Sequence, residues 1–357
     1  MKTRQELLAD FDPNGVGLVN AGLYGLPFGL EQARIVLIPM PWDVTVSYGH
    51  GTARGPQAIL AASPQLDLHI PGIERAWELG LALDEADAQT AARSRQLRSA
   101  AARIIQMLES GADAASSHGA LYAEINQACE AMSARLQQRA GELLDQGKVV
   151  GVLGGDHSTP LGLMRALAER HEQFGILQID AHADLRNAYE GFAQSHASIM
   201  FNALNIPQIQ RLTQVGVRDI CAAEAELAAN DERICLFHDE EIQARRFDGE
   251  SWRAQCERMV NTLPDKVYIS FDIDGLDPVL CPHTGTPVPG GLQFNEAIFL
   301  IEQVVRSGRT IIGFDLVEVN PAEDGDEWDA NVGARILYRM ACLCGVSHDM
   351  LRRTNAD

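Results

Sequence analysis

Seven runs in this chain are of strand length and almost wholly apolar: ARIVLIPM (33–40), KVVGVLGG (148–155), FGILQID (174–180), RLTQVGV (211–217), RICLF (233–237), KVYISFDID (266–274) and TIIGFDLVEV (310–319). A strand with one wet face alternates polar with apolar residues. These do not alternate, so both faces must be covered, as in parallel sheets under helices. Helical patterns separate them, among them PLGLMRALAERH (160–171), SWRAQCERMVNTL (251–263) and FNEAIFLIEQVVRSG (294–308). The alternation predicts an α/β fold built on a parallel sheet.

One segment breaks the rhythm. From about 85 to 146 the chain is rich in Ala, Gln, Glu and Arg, with apolar residues at helical spacing. It predicts a helical insertion of two or three helices, packed as an excursion on the domain edge. Repeats, low-complexity tracts and linkers are not evident, so residues 1–357 are expected to form a single domain. With 46% apolar residues, a sizeable core is within reach. A formal net charge of −20 argues against nucleic-acid or anionic-membrane partners and favours cations, over the short range that salt permits. Seven scattered cysteines without a CxxC pair read as reduced thiols, and MKTRQELLADFDPNG has no apolar signal core. A cytoplasmic location is the expectation.

Several apolar runs end in the same kinds of side chain. LGGDHS ends with Asp156 and His157; LQIDAHAD with Asp180, His182 and Asp184; SFDIDGLDP with Asp272, Asp274 and Asp277; IGFDLVEVNP carries Asp315 and Glu318. Open α/β sheets bind ligands beyond the carboxyl ends of their strands, so these clusters can converge. Side chains alternate across a strand, so D-x-H-x-D presents three ligands to one side. Carboxylates and imidazoles without thiolates suit borderline-to-hard divalent metals. Six candidates (His157, Asp180, His182, Asp184, Asp272 and Asp274) exceed one tetrahedral site and suit two ions sharing bridging carboxylates. Four aspartates neutralise two such ions, and burying them bare would be costly. Taken singly, Asp156, Asp277 and Asp315 also fit caps or turns, and DAHAD alone fits a mononuclear site. His50 and His283, in Gly/Pro-rich loops, fit pocket lining and plain surface equally well.

GGDHS, DAHAD and SFDIDGLDP, in this order, resemble the signatures of the ureohydrolase (arginase-agmatinase) superfamily, over about Arg34 to Cys344. The resemblance implies a three-layer α/β/α fold with a mostly parallel eight-stranded sheet, and trimers or hexamers. It also implies hydrolysis of guanidino groups at a two-metal centre. Carried over by motif, one ion takes His157, Asp180, Asp184 and Asp272, and the other Asp180, His182, Asp272 and Asp274. His196, in SHAS, matches a proton-shuttling histidine and Glu318 the carboxylate that grips the guanidinium; Asp184 would pass a proton to the departing nitrogen. PWDVTVSYG-x-GT (41–52) and EWDANVGARILY (327–338) are similar to the guanidine, alkylguanidine and biguanide hydrolase branch, where nickel is favoured over manganese, so the resemblance implies two divalent ions, Mn²⁺ or Ni²⁺. That branch suggests Trp42, Tyr48, His50, Thr52 and Trp328 as pocket walls around a small cationic substrate. The runner-up is an agmatinase or guanidinobutyrase, with Glu190 receiving a distal ammonium, although PVPGG carries Val288 where many agmatinases have glutamate. Two further alternatives are a mononuclear deacetylase-like relative and a non-catalytic subunit paired with an active paralogue in a hetero-oligomer.

Overall fold

A computed structural model describes residues 2–18, 21–112 and 114–354, the side chains of 114–117 excepted. The seven apolar runs become β1 (Ile35–Met40), β3 (Val149–Gly154), β4 (Phe174–Ile179), β5 (Ile209–Val217), β6 (Ile234–His238), β7 (Lys266–Asp272) and β8 (Thr310–Val317). An eighth, β2 (Leu81–Leu83), pairs with β1 at the sheet edge, Leu81 opposite Ile35. Three residues are too few to carry a periodic signal, which is why sequence patterning misses it. All eight strands are parallel, in the order β2-β1-β3-β8-β7-β4-β5-β6.

Eleven helices lie among the described residues. They are α1 (Arg4–Asp10), α2 (Gly55–Ala62), α3 (Ala88–Glu109), α4 (Ala114–Asp145), α5 (Leu161–Ala168), α6 (Ile199–Leu204), α7 (Ala222–Asn230), α8 (Asp239–Phe247), α9 (Trp252–Asn261), α10 (Phe294–Arg306) and α11 (Trp328–Ser347). Successive strand residues feed opposite cores, as the pleat requires. Ile35, Leu37, Ile269 and Phe271 join residues of α2, α9, α10 and α11 in one core. Val36, Ile38, Tyr268 and Ile312 join α3, α4, α5 and α6 in the other. The result is the expected three-layer α/β/α architecture.

The helical segment departs from expectation in its packing. It forms two helices, and instead of an edge excursion they are part of the second core. Leu97, Ala101 and Ile104 of α3 and Ile125, Met132 and Leu136 of α4 are buried there. A chain that must cross from β2 back to β3 beside β1 has to run over one face of the sheet, and these helices carry the apolar stripe that covers it.

The strand order decides where the chemistry collects. β3, β8, β7 and β4 occupy four consecutive central positions. The polar clusters following these strands, far apart in sequence, therefore meet at one end of the sheet.

Candidate metal centre

β3 ends at Gly154, and the chain turns at Gly155 against the loop that follows β1. A Cβ on Gly155 would stand 2.0 Å from the Trp42 carbonyl oxygen, so only glycine lets the two loops touch. The Asp156 N–H then donates to that carbonyl at 2.8 Å. His157 follows, its imidazole buried.

Two hydrogen bonds assign the nitrogens of His157. The Ser270 hydroxyl on β7 lies 3.0 and 3.2 Å from the two Asp315 carboxylate oxygens on β8, to which it donates. It must therefore accept the contact at 2.9 Å from His157 Nε2. This leaves Nδ1 facing Asp180 at 3.0 Å, Asp184 at 2.9 Å and Asp272 at 3.2 Å. Despite that proximity, Nδ1 is a buried polar atom without a hydrogen-bond partner. Neighbouring ligands about 2.1 Å from one octahedral ion stand about 3.0 Å apart, which is the spacing found. Holding a ligating histidine through its other nitrogen is a recurrent feature of metal sites.

His182 Nδ1 lies 3.1 Å from Asp274 Oδ2 and 3.5 Å from Asp180 Oδ1. Two groups of side chains could thus each hold a metal ion: His157, Asp180 and Asp272, and Asp180, His182 and Asp274. They share Asp180. Backbone amides aim the carboxylates, with Ala181 N–H donating to Asp274 at 3.0 Å and Asp274 N–H to Asp272 at 2.9 Å. The residues fit a pair of divalent cations.

Pleat alternation accounts for only part of DAHAD. β4 ends at Ile179, before the first aspartate. His182 stays extended by bridging to Asp219, but Asp184 sits at φ +54°, and this left-handed turn swings its carboxylate back to His157. Glu318 (φ +61°) and Glu190 (φ +56°) share that rare conformation, which costs energy at non-glycine residues and concentrates at functional sites.

The electrostatics favour a cation. Burial, reinforced by Asp274 and Asp180, holds Asp272 well above the usual carboxylate range. Burial and Asp180 push Asp184 up to about 7. Burial and Asp156 raise Glu318, whose Oε1 accepts the His157 N–H at 2.9 Å. Burial opposes charge on both imidazoles, yet the surrounding aspartates overcome it: His157 lies well above its ordinary value and His182 is pushed up to about 12. His196 goes the other way. Burial, with repulsion from His182, His157 and Arg98, pushes it down to about 3, leaving a neutral imidazole.

A cavity of about 140 Å³ opens over this centre, with His182, Asp184, Arg186, Tyr189, His196 and Thr286 among its lining residues. The rings of Tyr189 and His196 stand nearly perpendicular, their centroids 5.9 Å apart. Ser47 Oγ lies 3.3 Å from His196 Nε2. Asp219 and Thr286 lie outside the motifs, and the parts of Ser47 and of the Ser270–Asp315 pair show only in the tertiary contacts.

The suggested pocket walls are placed elsewhere. Trp42 is wholly buried in the second core, and Thr52 is buried too. Tyr48 is 82% exposed. His50 faces a separate cavity of about 710 Å³ with Asp43, Arg54, Arg95 and Arg98, none of which is a candidate ligand. Glu190 faces Glu109, Arg98 and Arg186; burial and Glu109 raise it to about 7. Trp328 is half-exposed, its indole donating to the Val279 carbonyl at 3.0 Å.

The arginase family model matches residues 33–342. The chain belongs to the arginase family. It is 32% identical over 323 residues to the N(1)-aminopropylagmatine ureohydrolase of Thermus thermophilus, covering 90% of this chain and 94% of that one. It is 28% identical to the agmatinase of Bacillus anthracis, covering 87% and 91%. The solved proclavaminate amidino hydrolase of Streptomyces clavuligerus shares the fold, with a TM-score of 0.69 and 22% identity over 94% of this chain and 100% of that one. As an arginase-family protein, the chain is a hydrolase of C–N bonds in linear amidines, a ureohydrolase acting on guanidino compounds. Among the described residues no helix is long and apolar enough to cross a membrane.

Proposed function

We propose that the chain hydrolyses a small guanidino compound (guanidine, an alkylguanidine or a biguanide) to urea or a substituted urea plus ammonia or an amine. The observation that carries this is the pair of His/Asp groups joined through Asp180 beneath a cavity of only 140 Å³. That volume is well under the roughly 300 Å³ at which pockets for drug-sized ligands begin.

His157, Asp180, Asp184 and Asp272 would hold one divalent ion, and Asp180, His182, Asp272 and Asp274 a second, manganese or nickel. Such ions, when bound, supply a hydroxide nucleophile at neutral pH and stabilise developing negative charge. The chain's own residues do the rest. Glu318, buried with its Oε1 accepting the His157 N–H, binds the guanidinium through charge-assisted hydrogen bonds and orients its carbon. Asp184, 2.9 Å from His157 Nδ1 and on the cavity wall, carries a proton to the departing nitrogen. His196, on the cavity wall, carries protons between the site and solvent.

An agmatinase-type activity is the second reading. Asp219 favours it, because this acidic residue lines the cavity where Glu190 does not, and would receive a distal ammonium. We further infer a cytoplasmic homo-oligomer, trimer or hexamer, on the strength of family membership. The test is a urea-release screen over guanidine, methylguanidine, dimethylguanidine, metformin, guanidinobutyrate, agmatine and arginine, with Mn²⁺ and with Ni²⁺. Preference for the first four supports the proposal; preference for agmatine moves the assignment to the second reading. Inactivity on all of them rejects both and favours a non-catalytic subunit.

A further inference from the structure

Ser47 is both a wall of the small cavity and a neighbour of His196, at 3.3 Å. It sits on a stretch, residues 41–51, that has no regular secondary structure of its own. Neighbouring elements therefore set the course of this loop, and α3 is prominent among them. Ser94 and Arg98 stand four residues apart on that helix, hence on one face. The Asp43 N–H donates to Ser94 Oγ at 3.3 Å, and Ser94 Oγ donates to Asp43 Oδ1 at 3.4 Å. The other Asp43 oxygen accepts the Gly51 N–H at 3.0 Å, closing the loop upon itself. Arg98 Nη1 donates to the carbonyls of Val44 at 2.9 Å and Val46 at 2.8 Å, directly before Ser47.

These contacts are more than α3 needs in order to dock. Leu97, Ala101, Ile104 and Ile105 already bury its apolar stripe in the core. The Ser94–Arg98 face adds polar contacts to the 43–46 backbone. Arg98 also carries its charge among Asp43, Asp156 and Glu190, beside the centre.

We propose that Ser94 and Arg98 are positioning residues of the hydrolytic site: through the 43–51 loop, α3 sets where Ser47 meets His196, and so how large a guanidino compound the cavity admits. This rests on the proposed guanidino hydrolysis. It gives the 85–146 segment a part in substrate selection besides covering the sheet. Arg98 touches no reacting atom; it acts by holding two carbonyls.

The test uses the full chain loaded with Mn²⁺ or Ni²⁺, and the variants Arg98→Ala, Arg98→Lys, Ser47→Ala and the Ser47/Arg98 double alanine. Arg98→Ala is expected to keep the parent's metal content and lose about tenfold or more in kcat on the preferred substrate. Its kcat/KM ratio for longer over shorter guanidino compounds should rise several-fold as the loop withdraws. Arg98→Lys should recover part of the loss. Because both residues act through one contact, the Ser47→Ala and Arg98→Ala losses should be less than additive. Additive losses, or an unchanged substrate ratio, overturn the proposal. Amide hydrogen exchange across 43–51 reads the same claim without activity: Arg98→Lys should exchange faster there than the parent, and equal exchange overturns it. If the parent releases urea from no guanidino compound, the proposed function falls, while the exchange comparison still decides the loop's anchoring. Should Arg98→Ala fail to fold, Arg98→Lys, alone and combined with Ser47→Ala, carries every arm.

Discussion

Asp272 and Glu318 lie in the same buried site yet are placed for different work. Asp272 joins His157 and Asp180 around one candidate ion position, whereas Glu318 is held by the His157 amide and belongs to neither group. Asp272→Ala should therefore lose metal and hydrolysis together, and elemental analysis finding both ions retained would remove its ligand role. Glu318→Gln should keep metal while kcat/KM falls by about a hundredfold, in line with losing a charge-assisted bond at a buried site; unchanged kinetics would take it out of the pocket. Metal binding should also acidify the solution. With burial opposing and aspartates more than compensating, His182 stands near 12 and is protonated at pH 7 without metal, and His157 is raised in the same direction. Ligation needs the neutral imidazole, so adding Mn²⁺ to metal-free protein in weak buffer should release protons. A flat pH trace would mean that the histidines do not ligate.

The loop after β1 shows how an element can be recognised and still misplaced. PWDVTVSYG suggested a pocket wall, but Trp42 is wholly buried, with its carbonyl against Gly155. A motif tells that a tryptophan matters there without telling which side of the loop it takes. Trp42→Ala should accordingly cost about 3–5 kcal/mol of stability, measured by denaturant unfolding of the metal-loaded protein. A stable variant with altered substrate preference would return it to the pocket. The seven long strands were legible because full burial leaves an uninterrupted apolar run. β2 was not, since its three residues draw their order from β1. The two long helices were legible too, but periodicity reports that a face is buried and not what it is buried against, which is why they read as an edge excursion.

At the scale of the molecule, a net charge of −20 surrounds a site built to receive cations. A field of that sign raises the encounter rate of a guanidinium, and salt screens it. Raising ionic strength from about 20 mM to about 500 mM should lower kcat/KM several-fold while leaving kcat nearly unchanged; an equal effect on both would place the dependence within the site. The sequence by itself determined the α/β class, the parallel sheet and the identity of the six clustered His and Asp side chains. These follow from local patterns: uninterrupted apolar runs, helical spacing and polar residues at run ends. Tertiary structure alone decided that β3, β8, β7 and β4 lie side by side, that a left-handed turn brings Asp184 onto His157, and that α3 reaches the loop carrying Ser47. Each of these depends on distances between segments far apart along the chain. Such distances are set by how the layers pack, and no local pattern of residues encodes them.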